Sequence, residues 1–296
     1  MRAQLDMIEM QQTIFALVVT FNRSAHLVKC LDALFRQSTP IAKVIVIDNA
    51  STDETEAIMT DMLLKNSDIE YHRLSTNTGG SGGFFKGMEY LSARDFDFAW
   101  IMDDDVAAEE DCLETLLKHC GDYDILQPIR RYYDNSFVIS EPLSLNLKNP
   151  FLPLKRNIIT NCDMLDEVTE IAAVPFEGPL ISKAAMRKAG LPEYDYFIIA
   201  DDTEYSIRLT SYGFRIGLVK NAVLRRQIVP TLNDDNLTWK FVHHLRNHID
   251  IDRKHGFMLV SYLRPILLTA YYVATSILRR RDAKSFKMIA AAWRIK

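Results

Sequence analysis

The chain has 296 residues, of which 48% are hydrophobic and 25% are charged, and this composition excludes a disordered or collagen-like protein. The formal net charge is −4 at pH 7, so a basic nucleic-acid-binding protein is disfavoured and we expect no nucleic-acid partner. The four cysteines include no CxxC pair, which argues against a zinc site or a disulfide framework and fits a reducing cytoplasm. The length is sufficient for one large α/β domain.

Strands and helices alternate in the first half of the chain. Continuous apolar runs predict four buried strands, at Ile14–Val19, Val44–Ile47, Ile69–Leu74 and Phe98–Met102. Helical patterns follow each of them, from Ser24, over Asp53–Leu64, at the glycine-rich segment Asn77–Gly83, and over Glu109–His119. Repeated β-α-β units of this kind predict an α/β fold with a mostly parallel sheet flanked by helices.

The second half of the chain is less regular. A short strand is predicted from Asp124, and residues 130–170, which include three prolines, are expected to form an irregular insertion of loops or a hairpin. Four further elements are predicted: a helix from Ser182 to Gly190, a strand over Tyr194–Ile199, a helix from Asp201 to Gly213, and a long helix over Leu237–His255.

The C-terminal end of the chain is basic and apolar. Arg253–Lys296 contains ten Lys or Arg residues and a single acid, Asp282. The apolar stretch Phe257–Leu278 is interrupted by Pro265, and the 13 residues that follow are fewer than the ~20 that a membrane-spanning helix needs. Two interpretations stay open: a helix buried in the core with a solvated basic end, or a helix lying on the anionic inner face of the cell membrane.

Three consecutive aspartates, Asp103, Asp104 and Asp105, follow the fourth predicted strand. Because successive strand residues point to opposite faces, we expect Asp103 and Asp105 to share a face while Asp104 turns away. Two carboxylates so close repel each other unless a cation lies between them. A Mg²⁺ or Mn²⁺ ion that also holds a diphosphate would remove this repulsion. The alternative is a solvated acidic turn that caps the helix at Glu109.

Polar residues also follow the other strands, and we expect them at the same edge of the sheet, where such folds bind their ligands. Ser51 or Asp53 can cap the helix after the second strand, so the Asp48 carboxylate should be free for a base or a ribose. The glycines of Asn77–Gly83 let the backbone approach a ligand closely. This segment does not match the dinucleotide pattern, because Phe85 stands where the third glycine belongs.

Five segments occur in order along the chain: VVTFNR, VIVIDNASTDET, NTGGSGGF, WIMDDD and FIIADDTEYSIRL. Together they resemble the family 2 glycosyltransferases of GT-A fold, over roughly residues 13 to 250. The NTGGSGGF and WIMDDD segments and the later HHLRNH segment most resemble the bacterial galactofuranosyltransferases, with the rhamnosyltransferases as close neighbours. On this interpretation residues 1–12 form a leader, 13–235 a GT-A catalytic domain that contains the insertion, and 236–296 a helical, basic segment.

The resemblance implies a metal-dependent, inverting glycosyltransferase of the cytoplasm. It implies a UDP-sugar donor, UDP-galactofuranose above all, a Mn²⁺ or Mg²⁺ ion, and a surface polysaccharide or lipid-linked glycan as acceptor. Asp103 and Asp105 match the acids around the metal. Asp201, Asp202 and Glu204 match the acidic motif that supplies the catalytic base, and we choose Asp202, because N–H donors at a helix start would keep it ionised. The residues that match the donor site are Arg23, Asp48, Gly79, Gly80, Gly82, Gly83 and Asp104.

Two positions depart from the family pattern. Ala200 stands where a Trp often precedes the paired acids, and Ala222–Gln227 lacks the metal-binding His that is common there. His243 and His244 follow later, and we leave them outside the predicted metal site. Three alternatives remain: a rhamnosyltransferase that uses dTDP-rhamnose, a catalytically idle sugar-nucleotide-binding subunit, and a phosphatase-type hydrolase. The hydrolase is disfavoured because Ala107 stands where its motif has Thr or Val.

Overall fold

The computed structural model describes residues 12–138, 141–229, 237–279 and 281–294, so the predicted leader lies outside the described residues apart from Gln12. The strands are β1 (Ile14–Thr20), β2 (Lys43–Asp48), β3 (Ile69–Arg73), β4 (Phe98–Asp103), β5 (Val106–Ala108), β6 (Ile125–Arg131), β7 (Pro142–Leu145), β8 (Lys155–Ile158), β9 (Val168–Glu170), β10 (Leu180–Ser182) and β11 (Ile216–Arg226). The helices are α1 (Ser24–Phe35), α2 (Thr55–Lys65), α3 (Gly79–Ser92), α4 (Cys112–Leu117), α5 (Lys183–Ala189), α6 (Asp201–Ser211), α7 (Trp239–His255), α8 (Leu259–Leu278) and α9 (Ala283–Ala291).

Nine of these strands form one sheet, in the order β3-β2-β1-β4-β10-β6-β11-β5, and β9 also pairs with β11. The four strands β3, β2, β1 and β4 are parallel, as the β-α-β pattern predicts. The short strand β10 runs antiparallel to β4 and β6, and β6 is parallel to β11. Strands β7 and β8 form a separate antiparallel hairpin inside the insertion, where we expected loops or a hairpin.

Helices cover both faces of the sheet. Every residue of β1 is buried, because one face of the strand packs towards α1 and the other towards α3. Leu27 and Leu31 of α1 belong to the core on the first face, and Phe84 and Met88 of α3 to the core on the second. Burying each such side chain stabilises the fold by about 1.5–3 kcal/mol. The predicted α/β fold is therefore confirmed.

One predicted element is wrong. Tyr194–Ile199 was expected as a strand from its aromatic and apolar residues, but it forms a 3₁₀ turn over Tyr194–Tyr196 and then an irregular segment. The backbone angle φ is positive at three positions: 63° at Phe197, 71° at Ile199 and 70° at Ala200. A β-strand cannot contain such angles. Apolar composition alone does not distinguish a buried strand from a buried irregular segment.

The C-terminal helices pack on one another. Helices α7, α8 and α9 share an apolar cluster that contains Phe241, Leu245 and Ile289. Arg264 in α8 is buried, and its Nε lies 2.9 Å from both carboxylate oxygens of the buried Asp252 in α7. In the parts of the chain that the structure describes, we find no helix with the length and apolar character needed to cross a membrane.

Candidate active site

A cavity of about 870 Å³ opens at the carboxyl edge of the sheet. The loop after β1, the start of α3, the turn after β4 and the start of α6 form its wall, together with residues of α7. The predicted site residues that line it are Arg23, Gly79, Gly80, Asp103, Asp104, Asp105, Asp201 and Asp202. Four predicted site residues are not among the described residues of this wall, namely Asp48, Gly82, Gly83 and Glu204.

The three consecutive aspartates form a turn against Arg23. Strand β4 ends at Asp103, and a two-residue turn carries Asp104 and Asp105 into β5. The buried Asp104 accepts hydrogen bonds from Oγ1 of Thr20 (2.6 Å) and Nη1 of Arg23 (3.1 Å). The same Nη1 lies 3.0 Å from Asp105. The prediction that Asp104 turns away is wrong, because the strand alternation stops at Asp103 and all three residues border the cavity.

Burial and mutual repulsion raise the pKa of acids in this turn. Burial raises the pKa of Asp103 well above its usual value, and the charges of Asp105 and Glu177 raise it further. Burial also raises the pKa of Asp105, although the nearby guanidinium of Arg23 opposes the shift. A divalent cation would stabilise the charged form of both carboxylates, and carboxylate oxygens are ligands that suit Mg²⁺ or Mn²⁺.

The carboxylate oxygens at this turn suit a metal ion that also binds a substrate. Among the residues that the structure describes, no three His, Cys, Asp or Glu side chains form a group that could hold a metal. Asp103 and Asp105 would supply two ligands, and Mg²⁺ commonly takes the others from water and substrate phosphates. The end of β11 carries Arg226 and Gln227, and Nε2 of Gln227 donates to the carbonyl of Asp104 (3.3 Å). This glutamine therefore helps to hold the backbone of the acidic turn in place.

Asp48 is not free, in contrast to the prediction. Its side chain is fully buried, and its Oδ1 accepts a hydrogen bond from the N–H of Ser51 (2.8 Å). Its Oδ2 accepts one from the hydroxyl of Tyr71 (2.5 Å) and lies 3.6 Å from Nε of Arg73. Both oxygens thus have protein partners, which hold the loop after β2. A contact between Asp48 and the nucleotide stays a prediction.

The glycine-rich segment forms the first turns of α3. Gly79 has a φ of 74°, and a Cβ at this position would lie 2.0 Å from the carbonyl oxygen of Phe197. Nδ2 of Asn49 donates to the carbonyl of Gly79 at 2.6 Å, which holds the turn against the end of β2. A Cβ on Gly82 or Gly83 would collide with neighbouring side chains. These two glycines, which we predicted beside the donor, allow close packing instead.

The irregular segment before α6 is held from two sides. On one side, Nδ2 of the fully buried Asn247 in α7 donates to three carbonyls within Tyr196–Ile199, at 2.7, 3.0 and 3.1 Å. On the other side, the N–H of Ser81 in α3 donates to the carbonyl of Phe197 (3.2 Å). Asn247 was not predicted as a site residue, although its place in HHLRNH was an available signal.

Asp201 and Asp202 begin α6 in different surroundings. Asp201 is buried, and this burial, followed by the charge of Asp202, raises its pKa to about 7. Asp202 is partly exposed, and its Oδ1 accepts hydrogen bonds from the N–H and the hydroxyl of Thr203. The expected N–H donor at the helix start is therefore present. The other oxygen, Oδ2, has no hydrogen-bond partner among the described residues.

Glu204 is a buried structural acid. Its carboxylate accepts hydrogen bonds from Nε of Arg208 (3.0 Å) and lies 2.9 Å from Nε2 of His255. Burial would raise the pKa of Glu204, but the hydrogen bonds with His255 and Arg208 outweigh it and lower the pKa. Glu204 is also absent from the described cavity wall, so this geometry gives its predicted catalytic role no support.

Two further residues line the cavity and were not predicted there. Glu177 binds Nη1 of Arg130 (2.6 Å) and lies 3.4 Å from Nη2 of Arg226. It lies in no motif that we recognised, so the sequence carried no signal for it. His243, one of the two late histidines, stacks on Phe197 with ring centroids 5.2 Å apart. Its buried Nδ1 has no hydrogen-bond partner within the described parts of the chain.

Sequence comparison identifies relatives of known activity. The sequence model of Glycosyl transferase family 2 matches residues 15–177, which is more than half of the chain. Galactofuranosyltransferase GlfT1 of Mycobacterium tuberculosis is 26% identical over 225 residues, covering 72% of this chain and 69% of that protein. The GlfT1 of Mycolicibacterium smegmatis is 25% identical over 220 residues, covering 70% of this chain and 68% of its own.

Solved structures share the fold. GalNAc-T7 with UDP, GalNAc and Mn²⁺ matches with a TM-score of 0.64 and 12% identity over 82% of this chain, which spans about half (48%) of that one. The mannosyltransferase PcManGT from Pyrobaculum calidifontis, in complex with GDP-Man and Mn²⁺, has a TM-score of 0.59 and 15% identity over 98% of this chain and 79% of its own. Both confirm the predicted GT-A fold. The chain belongs to glycosyl transferase family 2 and is a sugar-nucleotide-dependent glycosyltransferase.

Proposed function

We propose that the protein is an inverting galactofuranosyltransferase, which moves galactofuranose from UDP-galactofuranose onto a surface polysaccharide or a lipid-linked glycan. One observation carries this proposal: a single cavity holds an arginine beside three aspartates on one side and the open carboxylate of Asp202 on another. The first group suits a diphosphate with its metal, and the second suits a general base. The similarity to GlfT1 favours galactofuranose as the sugar.

Arg23 is the residue that we assign to the leaving diphosphate. Its side chain is 42% exposed, and only Nη1 is engaged by Asp104 and Asp105. The other N–H donors of the guanidinium can bind phosphate oxygens and offset the charge that develops as the glycosidic bond breaks. Asp103 and Asp105 would hold Mn²⁺ or Mg²⁺, and the bound ion supplies further neutralisation of diphosphate charge.

Asp202 is the residue that we assign as the base. Thr203 fixes one oxygen of the carboxylate, and the other is available to the hydroxyl of an acceptor. Removing the hydroxyl proton makes the acceptor oxygen a stronger nucleophile. This oxygen attacks the anomeric carbon on the face opposite the departing diphosphate, so the configuration inverts. Asp201 lines the same cavity but is buried, and it is the alternative assignment for the base.

The test is a donor screen with the purified protein and Mn²⁺. We expect turnover or slow hydrolysis with UDP-galactofuranose and stabilisation of the protein by UDP. Faster turnover with dTDP-rhamnose than with UDP-galactofuranose would show that the protein is a rhamnosyltransferase, the first alternative. Donor binding in calorimetry without turnover or hydrolysis of any donor would contradict the enzyme assignment and favour an idle binding subunit. Release of p-nitrophenol from p-nitrophenyl phosphate would favour the hydrolase.

We also propose that α8 lies on the anionic inner face of the cell membrane. The helix buries one side against α7 and α9, and the other side exposes an apolar row that includes Leu259, Tyr262, Ile266 and Ile277. Basic residues flank this row in the sequence from Arg253 onward. An exposed apolar helix face with a basic border is typical of peripheral membrane binding. A fully buried helix, the other interpretation, does not expose such a row.

Sedimentation with liposomes tests this surface. Removing residues 257–296 would also remove Arg264 and Ile289, which pack against α7, so we choose substitutions instead. Tyr262→Ser with Ile266→Ser should abolish sedimentation with phosphatidylserine vesicles, because the apolar contact is lost. Leu64→Ser, at an exposed leucine on α2, is the control and should sediment normally. Unchanged sedimentation of the double variant would contradict the membrane surface.

A further inference from the structure

A second cavity of about 430 Å³ adjoins the candidate active site. The two cavities share Pro175, Glu177, Asp202 and Arg226 in their walls. The proposed base therefore lies on the boundary between them. A molecule bound in the second cavity would present its hydroxyl groups to Asp202 while the donor occupies the first. The position of this cavity is thus that of a site for the acceptor.

The insertion at residues 130–170 supplies one wall of the second cavity. The aromatic rings of Tyr132 and Phe137 line it, together with Lys155 at the start of β8. Aromatic rings offer a flat apolar face to the C–H side of a sugar, and the tyrosine adds a polar group. The insertion, which interrupts the regular β-α-β pattern, therefore completes a sugar-sized pocket next to the base.

Lys155 brings a positive charge to the wall of the second cavity. It is partly buried and forms no ion pair or side-chain hydrogen bond within the described parts of the chain. Its neighbours in α7 are His244 and His248, not carboxylates. Burial, followed by the charge of His248 and then of Lys155, lowers the pKa of His244 to about 4, so this imidazole is neutral at pH 7.

Arg226 adds a second unused donor. Its Nε is buried and has no acceptor among the described residues, although Nη2 lies 3.4 Å from Glu177. Arg130, in the same wall, differs because it is buried between Glu141 and Glu177 and binds both. The wall of the second cavity therefore carries the cationic side chains of Lys155 and Arg226 beside the carboxylates of Glu177 and Asp202. The unpaired Nε of Arg226 costs free energy because it is held away from water. An anionic ligand in the cavity would offset the positive charge of both side chains.

We propose that the second cavity is the acceptor subsite and that it selects an acceptor whose sugar carries an anionic group, a phosphate or a carboxylate. The ring of this sugar packs on Tyr132 and Phe137, and its anion contacts Lys155 and Arg226. Its accepting hydroxyl then reaches Asp202 on the boundary of the donor cavity. This assignment rests on the proposed function, because it takes Asp202 as the base.

The test uses binding of small sugars to the protein saturated with UDP and Mg²⁺, which is diamagnetic, so that the donor cavity is filled. The probes are methyl galactoside, galacturonate and galactose 6-phosphate, titrated by ligand-observed NMR. Lys155→Met removes the charge and keeps the length of the side chain, and Lys155→Arg keeps the charge. Lys148→Met is the matched control, because Lys148 is exposed in the same insertion and does not line either cavity.

We expect one or both anionic sugars to bind about tenfold more tightly than methyl galactoside. The preferred one identifies the anion as a carboxylate or a phosphate. Lys155→Met should remove most of this preference, whereas Lys155→Arg and Lys148→Met should keep it. Equal binding of all three sugars, or an unchanged preference in Lys155→Met, would overturn the subsite. UDP affinity is measured on the same samples as a control. If the wild type does not bind UDP, the proposed function is contradicted. If it binds UDP and shows no preference for anionic sugars, only the acceptor subsite is contradicted.

Discussion

Two groups of carboxylates line the same cavity and reach it in different ways. Asp103–Asp105 follow β4, a regular strand that pairs in parallel with β1 along six residues. Asp201 and Asp202 follow a segment with three positive φ angles, which Asn247 of α7 and the start of α3 hold in place. The position of the first group depends on the sheet. The position of the second depends on contacts between segments that are far apart in the chain.

This difference determines how each group should respond to substitution. The acidic turn lies at the end of a strand that is buried on both sides, so a change there should affect chemistry more than geometry. The segment before Asp201 has no regular hydrogen-bond ladder of its own, and a change in α3 or α7 should displace its acids. Such a displacement can reduce catalysis strongly even when the fold persists.

The largest expected effect tests the function of Asp202 itself. Asp202→Asn should lower kcat by roughly 10²–10⁴-fold and leave UDP affinity nearly unchanged, because a general base acts on the acceptor and not on the nucleotide. Glu204→Gln should instead lower the melting temperature, because Glu204 is bound to Arg208 and His255. Steady-state kinetics and UDP calorimetry on these variants and on Asp201→Asn show which residue is the base. Substantial activity in Asp202→Asn with near-complete loss in Asp201→Asn would move the base to Asp201.

The second prediction concerns the acidic turn. Asp103→Asn and Asp105→Asn should each lower the transfer rate by roughly 10²–10³-fold and weaken the effect of Mn²⁺ on UDP affinity. Asp104→Asn should reduce transfer less, and it should lower the melting temperature, because Asp104 is buried against Thr20 and Arg23. The measurements are rates and UDP affinities over a range of Mn²⁺ concentrations. If Asp104→Asn is the most damaging of the three for transfer, the metal assignment to its two neighbours is wrong.

The third prediction tests the support of the irregular segment from α7. Asn247→Leu removes the donor for three carbonyls, and it should lower kcat about tenfold while destabilising the protein by about 1–3 kcal/mol. UDP affinity should change little, because the acidic turn does not depend on Asn247. Asn221→Leu, at an exposed asparagine of β11, is the control and should behave as the wild type. An unaltered kcat in Asn247→Leu would show that the segment holds its shape without α7.

The fourth prediction compares two adjacent glycines at the start of α3. Gly79→Ala should destabilise the protein by about 1–3 kcal/mol, because φ is positive and the new Cβ would lie 2.0 Å from the Phe197 carbonyl oxygen. A Cβ on Gly80 has no neighbour within 4 Å, so Gly80→Ala should stabilise the helix slightly, by up to about 1 kcal/mol. Denaturant unfolding measures both. Equal stability of the two variants would mean that α3 does not hold the segment before α6.

The last prediction concerns the pH dependence of stability that Asp201 contributes. Burial, followed by the charge of Asp202, raises the pKa of Asp201 from 3.8 to about 7, so the folded protein binds this proton over a pH range in which the unfolded chain has released it. The contribution of Asp201 to the unfolding free energy therefore falls as the pH rises from about 4 to about 7. Asp201→Asn should lack this fall. The melting temperatures of wild type and variant are measured from pH 5 to pH 8. If they change with pH by the same amount, the raised pKa of Asp201 is contradicted.

Apolar runs and spacing predicted the first half of the molecule well. The four parallel strands and the acidic turn after the fourth follow from local patterns, because a buried strand is uniformly apolar and its end lies at the ligand edge. Arg23 was a candidate only through the family resemblance. The strands β5, β9 and β10 were missed, since three residues are too few to show a period, and the longer strand β11 (Ile216–Arg226) was also not predicted. The segment Tyr194–Ile199 was misassigned because its apolar residues are buried without forming a strand.

The sequence by itself determined which acids were candidates, and only the tertiary structure decided which of them line the cavity. Asp202 and Glu204 are two positions apart on a helix, so they point in nearly opposite directions, about 200° around the axis. That spacing shows that both cannot face one cavity, but it does not say which one does. Contacts with a distant segment distinguish the two acids: His255 lies 2.9 Å from Glu204 in the interior, and Asn247 holds the segment that leads to Asp202. Such contacts join residues about 50 positions apart, and no local pattern records them.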